Sequence, residues 1–571
     1  MNFFLIGGDS LKAMRVVLAI AQQYDARMSL KTFFSCSTLA EQSLWLDRHI
    51  QDEGLTSASD CPPTTTKGLL LDHTASGHPS APTIPHAQPL LGDWPAGTLA
   101  FPASFAQSRL WFLHQLQPDL TAYHIPLLWR LQGELDVAAL QNALAGLIER
   151  HPTLRTSFQL HGSDVLQLIH PPAPIHLEIE SLGDRDPDAV LQAWLQQEAA
   201  TPFDLSSGTL LRARLLAVTE QEHILLLNHH HIASDGWSLS RFTRDLSALY
   251  NAHHNGHPPA LQPLGLHYHD YAVWQRQLLN GPQLQTLHDY WIPQLTGLEP
   301  LELPTDHPRP ATPTHRGADL SVSIEPSLLQ PFEELCRSQG ATLQMGLLAL
   351  VALLLHRTSR QDDIAIGVPI WGRNHPDLEP LIGFFINTLP IRTHLSPDLS
   401  FRQLLDQVAA TSLAAYDHQD LPFEQMVEAL NLERDTSRNP LIQVILQFNN
   451  FEDHSLTHLH GLEVDSLNAS GHAARFDLEF FLQRQQAGGI AATITYSTDL
   501  FSADRIERLS SHLLTLLASA IAAPDAPAAS LTLLPASERQ LIESWQHGPS
   551  IDRKSTRLNS SHTVISYAVF C

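Results

Sequence analysis

The sequence predicts an α/β fold, because segments with strand character and segments with helix character alternate from about Ala100 to about Ala523. The clearest strand is residues 224–227, a short apolar run that is typical of a buried strand. The most apolar stretch, residues 345–355, is far shorter than the roughly 20 residues that cross a bilayer, so we predict a buried helix there. The clearest amphipathic helix follows the strand and presents Leu239, Phe242, Leu246 and Leu249 on one face.

The composition argues against several classes of partner. The chain has 571 residues and a net charge of −25, whereas a nucleic-acid-binding protein needs a basic face. No secretory leader is predicted, since Asp9 and Lys12 stand where an apolar core would run. The cysteines form no CxxC pair, which fits reduced cytosolic thiols and offers neither a disulfide framework nor a zinc site. We therefore expect a cytoplasmic protein with no nucleic-acid partner and no membrane partner.

The first 50 residues predict two helical segments. Apolar residues recur at helical spacing from Leu11 to Ala21, directly after a turn with Gly7 and Gly8. Ser10 lies beside the first unpaired N–H groups of that segment, as an ordinary N-cap serine also would. A second helical segment covers residues 39–50. From there to residue 98 periodicity disappears and Pro, Ser, Thr, Gly and His dominate, which predicts a linker.

A histidine cluster follows the buried strand, and a polar turn follows the cluster. His229, His230 and His231 are consecutive and lead to Asp235 and Gly236. Successive strand residues point to opposite faces, so the three imidazoles cannot share one site, and this argues against a metal centre. Two interpretations stay open at this point. Either one imidazole enters a cleft as a base or positioning group, or the histidines are buried and hydrogen-bonded at a strand end.

The segment HHIASDGWS, residues 230–238, resembles the HHxxxDG motif of condensation domains from nonribosomal peptide synthetases. Together with six further motifs in the family's order, the resemblance covers roughly residues 100–520. It implies two lobes, each similar to chloramphenicol acetyltransferase, that form a V around a tunnel. The six other motifs are SFAQSRLWFLHQL (104–116), RHPTLRTSF (150–158), YHDYAVWQ (268–275), IGFFINTLPIR (382–392), HQDLPFEQM (418–426) and RDTSRNPLIQV (434–444).

The resemblance also implies roles for individual residues. His231, the second histidine of the motif, would be the catalytic group, with His230 beside it. Asp235 would be structural and would pair with Arg150, so that the carboxylate stays ionised and fixes the loop that orients His231. Gly236 would allow close approach of the backbone and offer its N–H as an oxyanion donor.

Four further motif positions are candidate substrate or tunnel residues: Ser238, Trp274, Asn387 and Arg155. For Trp274, Asn387 and Arg155, roles in the core or at the lobe contact fit at least as well. No serine or cysteine stands in a nucleophile-elbow pattern, so no covalent acyl-enzyme is expected.

The N-terminal pattern FFLIGGDSLKAMRVV resembles the attachment motif of a peptidyl carrier protein. The resemblance makes Ser10 the site of a covalent 4'-phosphopantetheine and implies a phosphopantetheinyl transferase as a partner. Met1 falls just before the motif, so the first helix of a carrier is missing and the remainder would expose apolar faces.

The resemblances divide the chain into six parts. Residues 1–50 would be a truncated carrier domain, and 51–98 a linker. The condensation domain would have its N-terminal lobe in 99–270 and its C-terminal lobe in 271–523. Residues 524–550 resemble the entry into an adenylation domain, whereas 551–571 resemble translated adapter or vector sequence and fit neither family.

The implied activity is amide-bond formation between two carrier-bound thioesters. An upstream carrier would hold the donor acyl or peptidyl group, and a downstream carrier would hold the aminoacyl acceptor. An epimerization domain shares the fold and the histidine motif, but RHPTLRTSF and HQDLPFE argue against it. A heterocyclization domain would carry a DxxxxD pattern that is absent here, and the fused carrier argues against a free acyltransferase that uses coenzyme A. A non-catalytic platform that docks carriers would carry degenerate motif residues, whereas His231, Asp235 and Arg150 are intact.

Overall fold

In a computed structural model, the described residues are 38–52 and 84–546, except 433–434, 450–455, 457–458, 468–472 and 486–487, together with single positions between 13 and 36. Ser10, residues 53–83 and residues 551–571 lie outside the described residues, so the predictions made for them stay predictions.

Helices and strands alternate through the described part of the chain, as predicted. Its α-helices are α1 (Leu39–Asp52), α2 (Phe105–Leu116), α3 (Val137–Arg150), α4 (Pro187–Ala200), α5 (Gly236–His254), α6 (Tyr268–Leu278), α7 (Pro282–Leu295), α8 (Pro326–Ser338), α9 (Leu343–Ser359), α10 (Phe401–Asp417), α11 (Phe423–Ala429), α12 (Ala503–Ala522) and α13 (Ala536–Gln546). Its strands are β1 (Leu99–Pro102), β2 (His124–Gly133), β3 (Thr156–His161), β4 (Asp164–Ile169), β5 (Leu177–Ser181), β6 (Leu211–Ala217), β7 (Glu222–His230), β8 (Gly317–Ile324), β9 (Asp363–Ile370), β10 (Asn387–His394), β11 (Val444–Asn449), β12 (Leu462–Ser466), β13 (Leu478–Arg484) and β14 (Ile490–Ser497).

A five-stranded sheet has the order β12-β2-β7-β6-β5. Strands β5 and β6 are parallel, and the other neighbours are antiparallel. Leu225 and Leu227 of β7 pack into the core that α3 and α5 share with this sheet. On the opposite face, Leu226 packs with Trp194 of α4. Both faces of β7 are therefore buried, as the apolar run at residues 224–227 predicted.

A six-stranded sheet has the order β10-β9-β11-β13-β14-β8. Strand β11 is parallel to β9 and β13, and the remaining neighbours are antiparallel. Helix α9 packs against β9, and its residues 345–355 are all buried, which confirms the predicted core helix. Among the described residues no single helix could cross a membrane. Helices α8 and α9 are long and apolar enough only when combined across a bend of 103°.

The two halves of the chain are also connected by strand pairing and by helix packing. Strand β12 comes late in the sequence but pairs with β2, with Leu462 opposite Gly133 and Ser466 opposite Trp129. Helix α2 packs against both α11 and the short turn that follows β7. These contacts place the end of β7 where elements of both halves meet. A third, smaller sheet has the order β1-β4-β3.

The last part of the predicted linker packs on the domain. Ile84 is only 4% exposed, in a cluster with Tyr268 and Phe385. The Ala87 N–H donates to Oδ1 of Asp270 at 2.6 Å. The segment from residue 84 is therefore anchored before β1 begins.

Candidate active site

A cavity of about 1340 Å³ is lined by residues from both large sheets and from the helices that cover them. Such a volume exceeds that of an ordinary small-molecule pocket, for which about 300–1,000 Å³ is typical. Among the described residues, no three His, Cys, Asp or Glu side chains are arranged to hold a metal ion. The ionisable side chains on the wall of the cavity include Arg109, His124, Glu198, His231, Glu424, Arg475 and Glu479.

The three consecutive histidines point in different directions. His229 is fully buried, and its ring stacks on Phe242 with the centroids 5.7 Å apart. His230 is also buried, but its ring lies 6.4 Å from that of Tyr123. Of the three, only His231 lines the cavity. The expected alternation is therefore present, and His231 is the candidate for chemistry.

His231 begins a 3₁₀ turn, His231–Ala233, directly after β7. Its Nδ1 lies 2.7 Å from the carbonyl oxygen of Ser234. Because a carbonyl oxygen only accepts hydrogen bonds, Nδ1 carries the proton and Nε2 is the nitrogen with a lone pair. The ring of Phe384, from the second half of the chain, stands edge-on at 4.9 Å and limits the rotation of the imidazole.

The surroundings keep the imidazole of His231 neutral. Burial lowers the pKa of His231 to about 4, and the positive charge of Arg475 acts in the same direction. The carboxylate of Asp235 opposes this effect but does not overcome it. At pH 7 Nε2 can therefore accept a proton or a hydrogen bond from an amine.

Asp235 is fully buried, and its partner is Arg373. Nη1 of Arg373 donates to Oδ2 at 2.9 Å, and Nη2 donates to Oδ1 at 3.2 Å. The Phe385 N–H and the Ser238 N–H also donate to this carboxylate, at 3.0 and 2.9 Å. The predicted pairing of Asp235 with Arg150 is wrong, although the predicted role of an arginine in fixing this carboxylate holds.

Arg150 pairs with Asp245 instead, through Nε and Oδ2 at 2.9 Å. Asp235 and Asp245 are ten positions apart at the start and in the middle of α5, a separation of about 15 Å along a helix. Arg150 at the end of α3 reaches only the second of them. Burial would raise the pKa of Asp245, but hydrogen bonds from His151, Arg150 and Arg244 lower it to about 2.

Gly236 and Ser238 occupy the first turn of α5 and differ in access to the cavity. Gly236 lines the cavity, and a Cβ there would lie 3.1 Å from the ring of Trp371. As the first helical residue, it has an N–H without an intrahelical partner. Ser238 is fully buried, and its Oγ donates to Asp235 at 2.8 Å while accepting from the Gly383 N–H at 3.1 Å. Ser238 is therefore a structural residue that does not contribute to the cavity wall.

The three remaining predicted residues have structural contacts. Asn387 is on the cavity wall, but its Nδ2 donates to the carbonyl of Leu421 at 2.8 Å and so ties β10 to the start of α11. Trp274 lies in the cluster with Ile84 and Tyr271, outside the cavity. Arg155 donates from Nε to the carbonyl of Ile148 at 3.1 Å, at the end of α3. The prediction that Trp274 and Arg155 line the tunnel is corrected, because packing and backbone contacts hold both elsewhere.

Two arginines of this region were missed by the sequence reasoning. Arg373 follows β9 and Gly372, whose φ is +60° and where a Cβ would lie 2.0 Å from the carbonyl oxygen of Phe385. That glycine was the available signal, since only a residue without a side chain fits there. Arg475 stands just before β13, and no local pattern marks it.

The condensation domain family model matches residues 99–543. The chain belongs to this family. Residues 1–46 match the model of the phosphopantetheine attachment site, which implies phosphopantetheine as a cofactor of that segment. A carrier segment followed by a condensation domain is the arrangement that the motifs predicted, and it is confirmed. Ser10 lies outside the described residues, so its own role stays a prediction.

Named relatives support the assignment. A linear gramicidin synthase of Brevibacillus parabrevis is 40% identical over 553 residues, which are 95% of this condensation-domain chain and 10% of that protein. The chain thus spans about a tenth of that relative's length. The X-domain from teicoplanin biosynthesis has a TM-score of 0.73 at 30% identity, covering 79% of this chain and 100% of that one.

A second solved structure bears on the fold alone. The first condensation domain of the calcium-dependent antibiotic synthetase has a TM-score of 0.64 at 21% identity, covering 76% of this chain and 99% of that one. The predicted α/β architecture of two chloramphenicol acetyltransferase-like lobes is therefore confirmed.

Proposed function

We propose that this condensation domain forms an amide bond between a donor acyl or peptidyl thioester on one carrier and the amine of an aminoacyl thioester on another. One observation carries the proposal. His231 is neutral, its Nδ1–H is fixed on Ser234 at 2.7 Å, and its ring lines a cavity to which both halves of the chain contribute. Its Nε2 is thus the basic atom beside a space large enough for two tethered substrates.

The reaction follows from this placement. The acceptor amine attacks the carbonyl carbon of the donor thioester, a C–N bond forms, and the carbonyl electron pair moves to oxygen. Nε2 of His231 takes the proton that the nitrogen loses, or holds the amine in the attacking position. When the C–S bond breaks, the carbonyl re-forms and the sulfur takes up the proton that the amine has lost, so that it leaves as a thiol.

The buried ion pair between Arg373 and Asp235 stabilises the orientation of His231. Asp235 caps α5 and forms an ion pair with Arg373. The turn that runs from His231 to Gly236 is therefore fixed at its C-terminal end. A rigid turn holds the carbonyl of Ser234 in place, and that carbonyl sets the tautomer of His231. In this arrangement Arg373 and Asp235 position the base and do not exchange protons with the substrate.

An assay with two separately loaded carriers tests the proposal. The parent chain should transfer the donor group to the acceptor, seen by mass spectrometry as a dipeptidyl species on the downstream carrier. His231→Ala should lower the rate by about 10²–10⁴-fold, the range of general acid–base catalysis, while the thermal unfolding midpoint stays near that of the parent. His257→Ala, at an exposed histidine, is the matched control.

Two results would contradict the proposal. A His231→Ala rate equal to that of the parent removes this residue from the chemistry. An inverted donor stereocentre without a new amide identifies an epimerization domain instead.

A docking platform is the second candidate function, because the likeness to the X-domain is strong. The X-domain from teicoplanin biosynthesis has been solved in complex with OxyB, in a structure that is 30% identical to this chain with a TM-score of 0.71. A platform would form no amide from loaded carriers and would retain a tailoring-enzyme partner in size-exclusion chromatography. Amide formation that depends on His231 rejects that alternative as the sole function.

The carrier segment supplies a further part of the proposal. We propose that Ser10 carries the phosphopantetheine arm, that a phosphopantetheinyl transferase attaches it, and that an adenylation domain follows in the intact synthetase. The match of residues 1–46 to the attachment-site family supports the first two statements, and the sequence of residues 531–550 supports the third.

A further inference from the structure

Arg475 lies on the cavity wall just before β13, and its guanidinium is held from one side. Its Nη2 donates to Oε2 of Glu479 at 3.0 Å, and its backbone N–H donates to Oε1 of the same carboxylate at 2.6 Å. The Glu479 side chain is 1% exposed, whereas that of Arg475 is 29% exposed. Within the described part of the chain, Glu479 is the only acceptor of the guanidinium. The N–H groups at Nε and Nη1 therefore stay available to a ligand.

The charge of Arg475 acts on the reaction centre. After burial, the positive charge of Arg475 is the largest influence that lowers the pKa of His231. The carboxylate of Asp235 acts against it, and His229 and His230 adjoin His231 on β7. Tyr123 borders the same space, 6.5 Å from the His231 ring. Two other arginines are close to these groups, but each is paired with a carboxylate: Arg109, near Tyr123 and Arg475, with Glu424, and Arg373 with Asp235. Arg475 stands just before β13 of the other large sheet and is the arginine whose charge most strongly lowers the pKa of His231.

Amide formation from a thioester requires more than a base. When the amine attacks, the carbonyl oxygen of the donor becomes negatively charged, and donors arranged in advance around that oxygen lower the barrier. A neutral His231 accepts a proton but offers no such donor, because its single N–H is bound to Ser234. Gly236 lines the cavity as the first residue of α5, so its N–H is available as the one donor predicted for it. A carbonyl oxygen can accept a second hydrogen bond as well.

We propose that Arg475 is a second catalytic residue, whose unused N–H groups bind the donor carbonyl oxygen as it becomes negatively charged. This inference rests on the proposed function, since it names the group that stabilises the intermediate of that reaction. The buried carboxylate of Glu479 fixes the guanidinium, so little reorganisation is needed when the charge develops. On collapse of the intermediate the electron pair returns to the carbonyl, the C–S bond breaks, and Arg475 is left unchanged.

Substitution of Arg475 tests the inference in the assay with two loaded carriers. Arg475→Met should lower kcat by about 10²–10³-fold, as expected for loss of one oxyanion donor, with little change in KM for either carrier. Arg475→Lys keeps the charge without the planar fork and should restore part of the rate. Arg309→Met is the matched control, because Arg309 pairs with Asp477 at 2.9 Å beside the same strand but does not line the cavity. It should cost stability while leaving kcat near the parent value.

A second readout requires no turnover. Diethyl pyrocarbonate modifies neutral imidazole, and peptide mass spectrometry reports the modification of His231 as a function of pH. Loss of the Arg475 charge should raise the pKa of His231, so the midpoint of modification should move to higher pH in Arg475→Met and stay in place in Arg309→Met.

The outcomes separate the two levels of the proposal. A parent chain that forms no amide contradicts the proposed function, and the role of Arg475 falls with it. An active parent with a parent-like kcat in Arg475→Met overturns the role of Arg475 alone. Equal loss of kcat in Arg475→Met and Arg309→Met, with an unmoved midpoint, would show that Arg475 serves only to stabilise Glu479.

Discussion

At the level of single side chains, the site depends on a carboxylate that touches no solvent. Asp235 accepts hydrogen bonds from two nitrogens of Arg373 and from the backbone N–H groups of Ser238 and Phe385. A buried charge is tolerated only when such partners replace water. The turn that carries His231 therefore depends on Arg373 for its stability.

Arg373→Met should lower the free energy of unfolding by about 3–5 kcal/mol, because it leaves a buried carboxylate without its counter-charge. Urea denaturation measures the loss. Arg150→Met should cost less, since Asp245 keeps His151 and Arg244 as partners. Equal losses in the two variants would contradict the pairing described for Asp235.

His229 predicts a loss of stability in acid. Neither of its ring nitrogens has a hydrogen-bond partner among the described residues. Burial, together with repulsion from His231 and His124 once these are protonated in acid, lowers its pKa to about 3. An unfolded imidazole has a pKa of about 6.5, so the unfolded chain binds the proton first as the pH falls. The contribution of His229 to stability is complete above this value and is lost at about 1.4 kcal/mol per pH unit down to the folded pKa.

His229→Leu should remove this contribution and make the free energy of unfolding less steep in acid. Urea denaturation at pH 7 and at about pH 5 would show the difference from the parent. His257→Leu, at an exposed position, should leave the slope unchanged. A slope that is the same in His229→Leu and the parent would mean that His229 takes up its proton without cost in the folded state.

At the level of elements, one glycine sets how closely the loop before β10 approaches α6. A Cβ at Gly383 would lie 2.0 Å from a ring carbon of Tyr268. The Tyr268 hydroxyl donates to the carbonyl of Phe384 at 2.6 Å and lies 2.8 Å from Oγ of Ser104, the N-cap of α2. The Tyr268 hydroxyl therefore connects α6, the start of α2 and the loop before β10.

Gly383→Ala should destabilise the fold by about 1–3 kcal/mol, the usual cost of overpacking, because the Tyr268 ring must move. The rate of amide formation should fall as well. The backbone N–H of Gly383 donates to Ser238, and movement of the loop would disturb this hydrogen bond beside Asp235. Gly265→Ala is the control, because no atom lies within 4 Å of its added Cβ. Similar unfolding midpoints for both variants would show that the Tyr268 contact is not restrictive.

Elements with a local apolar pattern could be predicted from the sequence, whereas their distant partners could not. The strand at residues 224–227 and the helix at 345–355 follow from runs of apolar residues alone. The pairing of Arg373 with Asp235 joins positions 138 residues apart. Many arginines and carboxylates satisfy the same electrostatic rule, so only the folded chain selects the pair. The same limit explains why β12 was not predicted as a neighbour of β2.

At the level of the whole molecule, an ion pair links α2 to the second half of the chain. Nη1 of Arg109 donates to Oε1 of Glu424 on α11 at 2.9 Å, across 315 positions of sequence. Both residues line the cavity, and their side chains are 30% and 18% exposed. The ion pair therefore helps set the distance between the two halves at the site.

Arg109→Glu should lower the rate of amide formation, because it places two carboxylates against each other between α2 and α11. The double variant Arg109→Glu with Glu424→Arg restores opposite charges and should recover most of the rate. Double-mutant analysis of kcat and of the free energy of unfolding gives the coupling, for which about 1 kcal/mol is expected. Additive effects would show that the pair does not couple the halves.

The position of β12 has a consequence for engineered synthetases. Residues 462–466 complete a sheet whose other strands lie before residue 231, so the boundary between the halves in sequence is not a boundary in space. A chimaera that exchanges only residues 99–270 would present a foreign edge to β12, with mismatched cross-strand pairs from Leu462 to Ser466. Recombination junctions before β1 and after α12 keep this strand with its native neighbour.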